Sequence, residues 1–112
     1  SNCDVISLHV HLNEQTKNLI NNQSLKKCKN SLIIINTSRG GLVNEKEIIN
    51  KINLREIGGY GSDVLVDENS DITNSKLIEA MKTNKNIIIT PHVGGMTIEG
   101  QTKDYIYAIN KL

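Results

Sequence analysis

Three stretches of this chain carry side chains able to bind or activate a small molecule, and each follows a short apolar run. His92 stands in Asn86-Ile87-Ile88-Ile89-Thr90-Pro91-His92-Val93-Gly94-Gly95, directly after the only proline. Arg39 lies in the polar, glycine-rich loop Thr37-Ser38-Arg39-Gly40-Gly41 that follows Ser31-Leu32-Ile33-Ile34-Ile35-Asn36. Asp63 closes Ile57-Gly58-Gly59-Tyr60-Gly61-Ser62-Asp63, and Glu68 comes five residues later. Arginine's planar fork suits a two-point grip on a carboxylate. An arbitrary loop arginine is more often a solvated charge or half of a surface ion pair. Position decides between these readings, so the elements behind each residue matter.

The Ile87–Ile89 run does not alternate with polar residues, which suits a strand buried on both faces in a parallel sheet. Pro91 cannot donate to a sheet ladder and so belongs at or past the strand's end. His92 then sits at the carboxyl edge, where open α/β sheets bind ligands. Gly94 and Gly95 leave room for close approach to the backbone. The Ser31–Asn36 run reads as another such strand, and Cys3-Asp4-Val5-Ile6-Ser7-Leu8-His9-Val10 as the first. The glycines of Ile57–Val64 match neither a phosphate loop nor the dinucleotide fingerprint, and are better explained by a helix or cofactor packed closely on a strand.

Helices fall between the strands. Ser24 is expected to cap a short helix over Leu25–Lys29. Asn44 with Glu47 makes a capping box ahead of Ile48, Ile49 and Ile52. Asn74 or Ser75 caps a helix with Leu77, Ile78 and Met81 facing inward, and Thr97 caps a last one from Ile98 to Leu112. The result is an α/β chain of about four strands alternating with helices, a Rossmann-type half-domain with a parallel sheet and right-handed crossovers. Arg39, Asp63 with Glu68, and His92 all fall just beyond strand ends, which places them side by side along one rim and is expected to bring them together in one cleft. That convergence argues for a site and does not name a reaction.

Composition narrows the partners. The 112 residues carry 13 basic and 12 acidic side chains, net +1, with three aromatics, all tyrosine. No basic stripe or stacking platform suits nucleic acid, and no apolar run is long enough to span a membrane. Cys3 and Cys28, with no export signal, suggest reduced thiols and a cytoplasmic protein. His9 and His11 alternate on a strand with Cys3 nearby and could be drawn as a metal site. They read better as strand-end histidines beside a cleft, so no metal is expected. The acidic group Asp67, Glu68 and Asp71 lacks calcium-loop spacing and suits a solvated loop. A strand at the very start, with no helix before it, suggests the second part of a larger protein.

Four motifs, in order and at matching separations, carry a resemblance: CDVISLHV, LIIINTSRGGLVNE, GGYGSDV with Glu68 behind it, and TPHVGGMT. Together they resemble the second half of the nucleotide-binding domain of the D-isomer-specific 2-hydroxyacid dehydrogenases. The branch is most similar to D-3-phosphoglycerate dehydrogenase, since the lactate branch would carry aromatic residues after His92. The resemblance implies Arg39 as clamp on the substrate's carboxylate and carbonyl, Glu68 as the histidine's partner, and His92 as general acid/base. It implies Asp63 at the nicotinamide carboxamide, and Val10, Thr37, Ser38 and the turn Val93-Gly94-Gly95 lining the cofactor, with Arg39 and His92 also bordering it. NAD is the implied cofactor, with NADP open, and the full-length protein is expected to be a homodimer.

Such a site would move hydride between a 2-hydroxy acid and the cofactor while the hydroxyl proton goes to a base. Histidine takes protons near neutral pH, and a partner carboxylate orients its ring. Arg39 would stabilise negative charge developing on oxygen. Departures from the family pattern are His11, where proline is usual, and Leu65 and Asn69, where phenylalanine and proline are common. The glycine fingerprint and the substrate domain lie outside the motifs, so the chain alone is expected to turn over no substrate and to bind NAD weakly. Other readings remain open: another 2-hydroxyacid reductase such as a glyoxylate/hydroxypyruvate reductase, a catalytically silent regulatory nucleotide-binding module, or an assembly fragment joined through an exposed sheet edge.

Overall fold

A computed structural model of the chain describes residues 2–66, 68 and 72–110. Asp67, Asn69, Asp71 and Leu112 lie outside the described residues. Strands β1 (Val5–Leu8), β2 (Ile33–Asn36), β3 (Gly59–Ser62) and β4 (Ile87–Ile89) form one parallel sheet in the order β1-β2-β3-β4. Helices α1 (Asn22–Leu25), α2 (Glu45–Asn53) and α3 (Lys76–Thr83) fill the crossovers, and α4 (Ile98–Ile109) follows β4. Short 3₁₀ turns lie at Gly40–Leu42 and Ile72–Asn74.

Register shows which side chains share a face. Ile34 pairs with Tyr60 and Tyr60 with Ile87, so these project to one side of the pleat. They bury against Leu25 of α1, Ile48 and Ile52 of α2, and Leu77 of α3, and the core lies there. Consecutive right-handed crossovers in one direction put α1, α2 and α3 on the same side. The opposite face carries Val5, Ile33 and Ile88, and Ile88 is 65 % exposed. The expectation of strands buried on both faces is therefore corrected. Uniformly apolar runs report two apolar faces, whereas this chain's crossover helices cover one.

Local chemistry explains the helix ends. In α2 the Asn44 side chain accepts from the Glu47 N–H at 3.3 Å, as the capping pattern requires. Its far end passes through Arg55 at φ 57°, with the Arg55 N–H on the Ile52 carbonyl and the Glu56 N–H on that of Lys51. This is a Schellman closure with arginine where glycine is usual. Ser75 caps α3 and the Thr97 hydroxyl caps α4. The first helix differs from expectation: it begins one turn earlier, Asn21 is the cap, and Ser24 is its reciprocal partner at the third position. Ser24 and Asn21 can each cap, and the fold chose the one whose helix delivers Leu25 into the core.

The reading of the glycines around β3 is corrected at Gly58, just before the strand. No helix or cofactor explains Gly58: a Cβ there would lie 2.5 Å from the Ser31 carbonyl oxygen. The chain's own backbone, entering β2, requires that glycine.

Candidate active site

Leu8, Asn36, Ser62 and Ile89 stand in register at the carboxyl ends of the four strands. Segments leaving those positions are spaced by the sheet itself, about 4.8 Å per strand. All predicted site residues lie on this rim.

A buried asparagine organises its centre. Asn36 is fully buried and uses its amide within the next loop: Nδ2 donates to the Arg39 carbonyl at 2.9 Å, and Oδ1 accepts from the Ser38 N–H at 3.2 Å. The Ser38 hydroxyl donates to the Leu8 carbonyl at 2.9 Å, tying the loop to β1. Gly40 then presses against the loop after β3. A Cβ on Gly40 would lie 2.1 Å from the Leu65 carbonyl carbon, so no side chain fits. The Val66 N–H donates to Glu45 Oε1 at 2.9 Å, which anchors the same loop to the first turn of α2.

This anchored loop presents Glu68. Its Oε1 accepts from the Leu65 N–H at 2.6 Å, and its Oε2 lies 2.7 Å from His92 Nδ1. The imidazole is half exposed and the carboxylate less so. His92 follows a tight turn in which its N–H bonds the Thr90 carbonyl at 3.0 Å across Pro91. It has φ 54°, a left-handed conformation that costs a non-glycine residue about 1–2 kcal/mol. Strain of this kind persists where surrounding contacts hold it.

Those contacts come from Asp63, only 7 % exposed. Its Oδ1 accepts from the Thr90 hydroxyl and from the Val93 N–H at 3.1 Å, and its Oδ2 accepts from the Gly94 N–H at 2.8 Å. The Thr90 hydroxyl above all, then the Gly94 and Val93 N–H groups and the nearby imidazole, hold its carboxyl below the usual carboxylate range, against the upward push of burial. Gly94 was expected to leave room for a ligand. The structure gives that room to Asp63, whose Oδ2 would lie 2.9 Å from a Cβ. Gly95 faces open space.

Arg39 occupies a neighbouring compartment. Its Nη1 donates to the Ser38 carbonyl at 2.6 Å, and it lines a cleft of about 460 Å³ with His9, Val10, His11, Leu12, Thr37 and Ser38. Val10, Thr37, Ser38 and Arg39 are thus gathered on the β1–β2 side, and Glu68, His92, Val93, Gly94 and Asp63 on the β3–β4 side. The expectation of a single cleft is therefore corrected: the two groups share a rim, but His92 and Glu68 are not part of the Arg39 cleft. The guanidinium folds back on the preceding residue's carbonyl, which draws it toward the β1 side. His9 Nε2 pairs with the Ser7 hydroxyl at 2.8 Å. Among the described residues no group of three or more His, Cys, Asp or Glu side chains is placed to hold a metal ion.

Sequence reasoning missed Asn36, Gly40 and Thr90. An amide ending an apolar run was a usable signal for Asn36, since a buried polar group must find partners. A hydroxyl just before Pro-His was one for Thr90. Gly40 has no local signal beyond the glycine pair.

Residues 1–94 match the family model described as D-isomer specific 2-hydroxyacid dehydrogenase, NAD binding domain. The chain is 36 % identical over 110 residues to a hydroxypyruvate reductase of Thermotoga maritima, covering 97 % of this chain and 35 % of that protein. It is 40 % identical over 101 residues to a D-3-phosphoglycerate dehydrogenase of Synechocystis sp., covering 90 % and 17 %. Among solved structures it superposes on D-lactate dehydrogenase with NAD+ from Lactobacillus jensenii with a TM-score of 0.77 and 30 % identity, covering 96 % and 37 %. The chain thus spans about a third or less of the curated relatives it matches.

Proposed function

This chain belongs to the D-isomer specific 2-hydroxyacid dehydrogenase family, and from that premise we propose that it forms the nicotinamide side of a site interconverting a D-2-hydroxy acid and its 2-keto acid. The observation that carries the reading is the pair His92 Nδ1–Glu68 Oε2 at 2.7 Å on the carboxyl rim of the sheet. With Nδ1 turned to a carboxylate, Nε2 is the nitrogen left to take the hydroxyl proton or return it. Glu68 fixes the orientation of the ring for the transfer. Arg39, from the adjoining cleft, grips the substrate carboxylate and steadies charge on the reacting oxygen.

The residues present suit a nicotinamide nucleotide. The cleft beside Val10, Thr37 and Ser38 is roomy and partly polar, and Gly95 admits close approach. NAD, when bound, supplies the hydride chemistry. Asp63 keeps about one acceptor position beyond its three hydrogen bonds, enough for one amide N–H of a carboxamide. NADP stays within the reading. The substrate class is a small 2-hydroxy or 2-keto acid, phosphoglycerate-like in our preferred version and glyoxylate or hydroxypyruvate in the nearest alternative. We place the protein in the cytoplasm, as a homodimer at full length. Cys3 and Cys28 are both thiols, and among the described residues no helix is long and apolar enough to cross a membrane.

The test is NADH or NADPH oxidation by the full-length protein over a panel of 2-keto acids. His92→Ala is expected to lower kcat by about 10²–10⁴. Unchanged activity in that variant would overturn the role given to His92, and no turnover by the full-length wild type across the panel would favour the nucleotide-binding regulatory module.

A further inference from the structure

Asp63 is aimed at the backbone that carries the histidine. Its three donors, Thr90 Oγ1, Val93 N and Gly94 N, bracket His92 from two residues before to two after. Asp63 is itself fixed from behind, because its N–H donates to the Asn36 carbonyl at 3.0 Å. Gly94 is needed for this arrangement, since a Cβ would crowd the carboxylate. Between these anchors His92 holds a left-handed conformation that its own side chain disfavours. Glu68 meets the ring from the other direction, held by the Leu65 N–H.

We propose that Asp63 is a positioning residue: by clamping the backbone on both sides of His92 it aims the imidazole Nδ1 at Glu68. The proposal deepens the proton-transfer reading above and takes its purpose from it, while the geometry stands independently. Asp63 acts here through the turn. Any contact it makes to a nicotinamide amide would be a second use of the same carboxylate.

The populations of the two neutral imidazole tautomers test this, because a ring held on a carboxylate through Nδ1 carries its proton there, whereas free imidazole side chains favour Nε2. Long-range ¹⁵N spectra of His92 are recorded on the 112-residue chain with the ring neutral, for wild type, Glu68→Ala, Asp63→Asn and Thr90→Val. Wild type is expected to be mainly the Nδ1–H form and Glu68→Ala mainly the Nε2–H form. Asp63→Asn and Thr90→Val, which leave residue 68 untouched, are expected to move at least half of the way to the Glu68→Ala value. Their β1–β3 amide signals should stay in place. A Nδ1–H population unchanged in both variants overturns the proposal. Should Asp63→Asn lose the native sheet signals, Thr90→Val, which removes one bond of three, decides by the same criterion. No substrate enters the measurement, so inactivity of the full-length protein would count against the dehydrogenase reading alone.

Discussion

His92 is kept where its conformation is unfavourable, and glycine should show this. His92→Gly removes the imidazole and the strain together, so it should be about 1 kcal/mol more stable than His92→Ala, which keeps φ at 54°. Urea midpoints of the two variants measure the difference. Gly40 is the opposite case: Gly40→Ala drives a methyl into the Leu65 backbone and should cost on the order of 3 kcal/mol. Asp63 supplies a pH signature. Its carboxyl titrates lower in the folded chain than in the unfolded one. Its contribution is therefore complete above the ordinary carboxylate value and is lost as pH falls through the lower folded one. A urea titration between pH 5 and pH 2 should show Asp63→Asn flattening that part of the acid limb. His92, Arg39 and Asp63 were legible in the sequence because each ends an apolar run. Gly40 was not, because the Leu65 loop that crowds it is distant in the chain; Asn36 ended an apolar run in plain view, but its partners Ser38 and Arg39 belong to a loop whose conformation the run does not state.

At the scale of elements, caps and periodicity located α2, α3 and α4, and the apolar runs located the strands. The start of α1 was misjudged because two polar residues three positions apart, Asn21 and Ser24, can each begin a turn, and only the docking of Leu25 chooses between them. Arg55 marks another place where local chemistry and fold disagree. It closes α2 in the left-handed region without being glycine, so Arg55→Gly should add about 0.5–1 kcal/mol of stability, read as a higher urea midpoint at unchanged slope. Tyr60 shows how β3 is held. Burial pushes its phenol up, and its hydroxyl reaches the Ser62 hydroxyl at 3.2 Å. The stabilisation from a neutral buried phenol is complete below its ordinary value near 10 and declines as pH rises above it.

For the whole molecule, the error about strand burial is the instructive one. Apolar runs state what a sheet could cover, and cannot say whether the same chain provides the cover. The face bearing Val5, Ile33 and Ile88 should bind an environment-sensitive apolar dye. Ile88→Lys should reduce that fluorescence while changing stability by no more than about 0.5 kcal/mol. The order β1-β2-β3-β4 has a further consequence. Each strand pairs with the one made just before it, so a chain leaving the ribosome always presents its next strand to an edge already built. Among these four strands, assembly can advance by accretion during translation.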